Sequence, residues 1–124
     1  MGTIERFEDI KSWQQGRELC KLVYQLTRKG EFRRDWGLQD QMRRAAVSIV
    51  SNIAEGFESQ NDSTFVRYLY IAKASSGELR AQAHVAQDQG YISADESQAL
   101  RGLAGDVSRL ISGLIAYLQS HPRS

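Results

Sequence analysis

Proline and cysteine are almost missing from this sequence, each occurring once in 124 residues. A lone cysteine, Cys20, cannot close an intramolecular disulfide, so no disulfide scaffold is available and the chain reads as cytosolic. The sole proline, Pro122, lies in the tail, and ten glycines are few punctuators for a chain of this length. That scarcity argues against many short strands joined by tight turns and favours helices. Long apolar runs are absent too: none approaches the ~18 residues of a membrane-spanning helix. The opening Met1-Gly2-Thr3-Ile4-Glu5-Arg6 lacks the charged-then-apolar order of a signal peptide, and Arg6 stands where a myristoylation motif needs Ser or Thr. Without secretion, the sequon Asn61-Asp62-Ser63 is a coincidence.

Charge of one sign is also lacking. Sixteen basic residues face fifteen acidic ones, and neither half of the chain is polarised. A dedicated nucleic-acid domain usually carries a basic excess; here one exists only locally, over residues 28–44. What is present is an ordinary globular composition, 41% hydrophobic and 25% charged, in a chain near the modal size of a single domain.

The apolar residues recur at helical spacing, which predicts an all-α, antiparallel, up-and-down four-helix bundle in one domain spanning residues 1–124. The helices are expected at about 9–29, 39–56, 63–89 and 94–119. Asp9 or Ser12 is the expected cap of the first helix, with Gly30 ending it and Gly16 inside it marking a close approach. Phe32 and Trp36 are expected to tuck under the end of the bundle. The second helix turns Leu38, Met42, Ala45, Ile49 and Ile53 inward and ends at Gly56. Asp62 or Ser63 is the expected cap of the third, whose seam is Phe65, Leu69, Ala72, Ser76, Leu79, Ala83 and Ala86; the small run Ala74-Ser75-Ser76-Gly77 lets a neighbour approach. Gly90 closes that helix, Ser93-Ala94-Asp95-Glu96 is a capping box, and the fourth seam is expected at Leu100, Leu103, Val107, Leu110, Leu114 and Tyr117.

Three spaced motifs carry a likeness over residues 7–118. Phe7-Glu8-Asp9-Ile10-Lys11-Ser12-Trp13-Gln14 opens it. Arg43-Arg44-Ala45-Ala46-Val47-Ser48-Ile49 and Ser51-Asn52-Ile53-Ala54-Glu55-Gly56 follow, then Phe65-Val66-Arg67-Tyr68-Leu69-Tyr70-Ile71-Ala72 with Ser76-Gly77-Glu78-Leu79 and Gly90-Tyr91-Ile92. Together they resemble a bacterial four-helix-bundle family named for proteins encoded in intervening sequences of 23S ribosomal RNA genes. Val50 stands where that family often has proline and Gly77 where it often has leucine. The resemblance implies a cytosolic bacterial protein without established activity that assembles as a ring-shaped homopentamer. A more distant likeness is to the accessory subunit of diversity-generating retroelements, a basic pentamer that contacts a reverse transcriptase and nucleic acid.

No catalytic, cofactor-binding or metal-binding constellation accompanies this pattern, and no enzyme is expected. Ala81 and Leu118 occupy the positions three before His84 and His121, where a di-iron bundle needs glutamate. No phosphate loop, paired-cysteine spacing or nucleophile elbow is present. Cys20 falls in the apolar arc of the first helix and reads as a structural thiol, and His84 as a partly exposed helical residue.

Three surface features remain. Gln41, Arg44, Ser48, Ser51, Asn52 and Glu55 form a polar stripe along the second helix. It is either a solvated face or an internal network in which Arg44 and Glu55 are satisfied by Ser48, Asn52 and Glu78. Arg28, Lys29, Arg33, Arg34, Arg43 and Arg44 form a basic cluster, countered by Glu31, Asp35 and Asp40. On a monomer it reads as a solvated loop; repetition round a ring turns it into a phosphate-contact site. Finally, the first helix is apolar over about 200° and the start of the third over about 260°, broader than one buried stripe requires. Leu22, Leu26, Phe65, Tyr68, Tyr70 and Ile71 are therefore expected at a subunit interface. The expected function is a self-associating scaffold or interaction module, with RNA or an RNA-handling protein as its partner. The alternative is a small-molecule or peptide binder using the polar stripe at a subunit interface.

Overall fold

The computed structural model describes residues 4–121. Met1, Gly2, Thr3 and Pro122 lie outside the described residues, and with them half of the N-terminal segment read above for targeting signals. Among the described residues there are four α-helices and no strand: α1 (Lys11–Thr27), α2 (Trp36–Glu58), α3 (Asp62–Asp88) and α4 (Ala94–Ser120). Short 3-10 turns at Phe7–Asp9 and Gly30–Arg34 precede α1 and α2. Each helix packs on two others in a closed cycle, α1 on α2 and α4, and α3 on α2 and α4. Residue pairings give the directions. A side chain at Gly16 would meet Ile49 and Val50, while Thr27 bonds Arg43, so α1 and α2 run oppositely. Ser48 meets Ser75 and Gly56 meets Phe65, so α2 and α3 do too.

The inner faces follow the predicted seams on α2 and α3. Met42, Ala45, Ile49 and Ile53 are buried, as are Phe65, Leu69, Ala72, Ser76, Leu79, Ala83 and Ala86. On α4 the seam is rotated by one position. Leu100, Ala104, Val107, Ile111, Ile115 and Leu118 are buried, Leu103, Leu110 and Leu114 lie half-buried beside them, and Tyr117 is 36% exposed. The inner face runs through fully buried Ser97 and Ala104, small residues, and leaves the larger Leu103 and Tyr117 at its edge.

The helix ends show which local rules operate. The capping box of α4 forms as predicted, Ser93 and Glu96 bonding each other's backbone N–H reciprocally at 3.0 and 2.8 Å. Gly90, at φ +76°, closes α3, with Tyr91 N–H donating to Ala86 O and Gly90 N–H to Gln87 O. Three expected ends are corrected. Neither Asp9 nor Ser12 caps α1; Ile10 holds that position without a side-chain bond, and Ser12 is buried. Asn61, not Asp62 or Ser63, caps α3 by accepting from Thr64 N–H at 2.9 Å. Gly56 does not terminate α2, which runs on to Glu58 with Gln60 in the left-handed region at φ 56°. A Cβ at Gly56 would lie 2.8 Å from Phe65 Cδ1 and 2.9 Å from Tyr68 Cβ. This glycine serves helix contact, not helix ending.

Candidate functional site

The basic cluster is built where α1 gives way to α2. Asp35 caps α2 by accepting from Leu38 N–H at 3.0 Å, which starts the helix at Trp36, three residues earlier than expected. Buried Gln39 donates from Nε2 to Phe32 O at 2.7 Å and pins the preceding turn. Phe32 is thereby driven inside, fully buried and stacked on Tyr91 with ring centroids 4.9 Å apart. Trp36 does the opposite. It lies outside the inward arc of α2 and is 76% exposed, which corrects the expectation that it tucks under the bundle.

Around Trp36 the chain gathers Arg28, Arg33, Arg34 and Arg43, which with Gln39 line a shallow concavity of about 510 Å³. Two of these arginines are held from behind. Arg43 donates from Nε to Thr27 Oγ1 at 2.9 Å and lies over the Tyr24 ring, 4.6 Å from its centroid. Thr27 is itself buried and bonded to Val23 O at 2.8 Å, so the anchor is rigid. Arg28 donates from Nε to Tyr24 O at 3.0 Å. In both, the terminal nitrogens remain for a ligand. Among the described residues Arg28, Arg33 and Arg43 form no ion pair, and Arg34 lies a loose 3.8 Å from Glu31. The other local acids are engaged elsewhere, Asp40 with Arg44 at 2.8 Å and Asp35 with Tyr91 Oη at 3.0 Å. Lys29 and Arg44 are exposed but stand outside this concavity. Arg44 lines the adjoining hollow with Tyr24, Asp40, Val47, Ser48 and Ser51.

The polar stripe divides. Its middle forms a network other than the one expected, carried by serines: Asn52 Nδ2 donates to Ser48 Oγ at 3.0 Å, and Ser48 shares a 2.9 Å hydrogen bond with Ser75 of α3. Its charged ends do not join. Gln41, Arg44, Ser51, Glu55 and Glu78 are exposed, and Arg44 bonds Asp40, not Ser48. Within one subunit, therefore, Arg44 and Glu55 enclose no pocket. Asp40 outcompetes Ser48 because a charged acceptor four residues away on the same helix is the stronger partner.

The residues expected at an interface divide as well. Leu26 and Phe65 are corrected to core, at 4% and 0% exposure, because α1 and α3 bury them against neighbouring helices. Leu22 and Tyr68 are half-buried. Tyr70 and Ile71 are out, at 53% and 45% exposure, and Val85 joins them on the same helix. With exposed Ala74, Gly77 and Ala81 they fall in an arc of about 120°, a ridge on the outer side of α3 that they share with exposed Arg67 and Glu78.

Residues 8–113 match the family model of the 23S rRNA-intervening sequence protein. The chain belongs to this family. A protein of unknown function from the S23 ribosomal protein family of Bacteroides thetaiotaomicron, known from a crystal structure, is similar in fold. The two superpose with a TM-score of 0.76 at 18% identity, covering 84% of this chain and 97% of the other. No curated protein matches. In this member of the 23S rRNA-intervening sequence protein family, the second motif supplies Arg43 to the basic concavity, Ser48 and Asn52 to the α2–α3 network and Gly56 to the helix contact.

Two titrating groups have shifted pKa values. Burial pushes the Cys20 thiol up to about 11, in keeping with a structural thiol. The hydrogen bond to Asp35, helped by burial and by the charges of Asp35 and Glu31, raises the Tyr91 hydroxyl above its ordinary value. Among the described residues, no cluster of His, Cys, Asp and Glu is arranged to hold a metal ion, and no helix is long and apolar enough to cross a membrane. Reading the sequence missed the anchors Thr27, Tyr24 and Gln39. Thr27 and Gln39 were legible as polar residues in register with apolar ones; the stacking of Arg43 on Tyr24 needs the interhelical register.

Proposed function

We propose that this member of the 23S rRNA-intervening sequence protein family is a non-enzymatic, self-associating interaction module that contacts single-stranded RNA at the Trp36 end of each subunit. The observation that carries the reading is a 76%-exposed tryptophan bordered by four arginines. An indole in water is unfavourable, and this one is held at the first turn of a capped helix, out of reach of the core. Unstacked bases supply the apolar face it lacks, and guanidinium groups supply the phosphate contacts, the combination that single-strand binders use.

The outer face of α3 favours the self-association in this reading. The outer ridge of α3 places Tyr70, Ile71 and Val85 in water on a monomer, and a second copy is the simplest cover. The family resemblance makes a ring of five the expected assembly, in the cytoplasm. A ring repeats the arginine cluster, so its fields add and more counterions are released on binding.

Fluorescence anisotropy with a labelled single-stranded RNA tests this. The account predicts sequence-tolerant binding that falls steeply as salt rises. Arg33→Glu with Arg34→Glu abolishes it and leaves the assembly intact. Salt-insensitive binding, or none at low ionic strength, contradicts the proposal.

A further inference from the structure

A second cationic feature lies on the opposite side of the bundle, between α3 and α4. Arg80 of α3 and Arg101 and Arg109 of α4 border a groove of about 330 Å³ whose floor is Gly102 and Gly105. Gln98 and Ser108 add an amide and a hydroxyl to its walls. These α4 residues recur at intervals of three or four, so they share one helical face.

The glycines open the space. A Cβ at Gly102 would meet nothing within 4 Å, and one at Gly105 would meet only Arg109 Nη1, at 3.6 Å. Neither glycine has a positive φ, so neither is required by the backbone, and both weaken the helix relative to alanine. Their effect on the surface is to let the Arg109 guanidinium lie over Gly105 and to leave the floor at Gly102 bare.

The arginines are partly organised in advance. Arg101 is half-buried and donates from Nε to Oγ of fully buried Ser97 at 3.1 Å, which fixes the plane of its guanidinium and leaves its terminal nitrogens available. Arg109 is paired with Asp106. Arg80 and Arg101 form no ion pair among the described residues. Three arginines thus border one groove, and one of them is paired with a carboxylate.

We infer that this α3–α4 groove binds a phosphate-bearing anion about the size of a pyrophosphate group. Guanidinium forks match the geometry of phosphate oxygens, and three of them round a side-chain-free floor provide more donors than a single surface arginine. The volume suits a compact anion, at the lower end of ligand pockets. This site is separate from the Trp36 concavity, which lies between α1 and α2. Its ligand is either a free di- or triphosphate or a stretch of nucleic-acid backbone.

Isothermal titration calorimetry of the full chain with inorganic pyrophosphate, at low ionic strength, tests the site. Saturable binding is expected, and Arg101→Gln should weaken it about tenfold or more, the loss of one charge-assisted contact. Gly102→Leu should abolish binding by filling the floor while the melting temperature holds or rises, since leucine is the better helix former and the position is open. Arg33→Glu with Arg34→Glu, which disables the Trp36 concavity, should bind pyrophosphate as the parent does, so failure at this groove is distinguishable from failure of the RNA proposal. Single-stranded oligonucleotide that displaces pyrophosphate from that double variant names the backbone as the source; oligonucleotide that leaves it bound names a free phosphate. Absence of saturable heat overturns the inference, as does unchanged affinity in both Arg101→Gln and Gly102→Leu.

Discussion

Phe32 and Trp36 stand four residues apart in one connection, and the bundle treats them in opposite ways. Phe32 is fully buried and stacked on Tyr91; Trp36 is 76% exposed among arginines. Hydrophobicity does not separate them, since both are large aromatics. Geometry does. Gln39 bonds the carbonyl of Phe32 and draws that residue beneath the bundle end, whereas the Asp35 cap starts the helix at Trp36 and fixes its side chain outside the buried arc. The same contrast recurs between neighbours on α3, where Leu69 is fully buried and Tyr70 is 53% exposed. The proposed contacts, RNA at Trp36 and a second copy at Tyr70, rest on these two exposed aromatics.

The widest gap should appear in stability. Phe32→Ala should cost about 3–5 kcal/mol, as truncation of a buried phenylalanine does, whereas Trp36→Ala should fall within about 0.5 kcal/mol of the parent, as exposed substitutions do. Chemical denaturation of both variants checks this, and equal shifts would erase the contrast. The α3 pair sharpens it by adding a second readout. Leu69→Ala should cost about 2–5 kcal/mol. Tyr70→Asp with Ile71→Asp should leave the folded subunit intact and convert the assembly to a 14.0 kDa monomer in native mass spectrometry. A parent that is already monomeric would contradict the self-association proposal.

The smallest effect concerns the far side of Phe32, where Tyr91 Oη donates to Asp35 Oδ2 at 3.0 Å. Because this bond raises the Tyr91 pKa above its ordinary value of 10.0, its contribution to stability is present below about pH 10 and is lost as pH rises through the raised value. Tyr91→Phe should therefore show a shallower alkaline fall in melting temperature than the parent. Identical alkaline slopes would mean that the bond does not form in solution.

Much of the fold was legible because helical periodicity and end signals act locally. The α3 seam, the Ser93–Glu96 capping box and the Gly90 closure each depend on residues within a few positions of one another. What escaped depends on register between helices. Gly56 resembled a helix end because a glycine after a polar residue usually is one; only the approach of Phe65 and Tyr68 reveals its other purpose. Tyr117 resembled a seam residue by its spacing, but the inner face passes one position on, through Ile111, Ile115 and Leu118. In the candidate site, the arginines were visible as a cluster, but a sequence cannot show that Arg43 rests on Tyr24 or that Trp36 stays outside. The polar stripe was half legible: Ser48 and Asn52 join a network through Ser75, while Arg44 turns to Asp40.

If Trp36 is a stacking surface for single-stranded RNA, its own fluorescence reports the contact. Trp13 lies edge-on to Phe7 with ring centroids 5.2 Å apart, so Trp13→Phe removes the second indole and keeps an aromatic at that contact. Titrating that variant with a single-stranded RNA at low salt should quench the remaining emission saturably, with the midpoint seen by anisotropy. Trp36→Ala should weaken the binding by about 1–3 kcal/mol, the usual worth of a base–aromatic stack. RNA that binds without quenching Trp36, or with equal affinity in Trp36→Ala, would contradict the account.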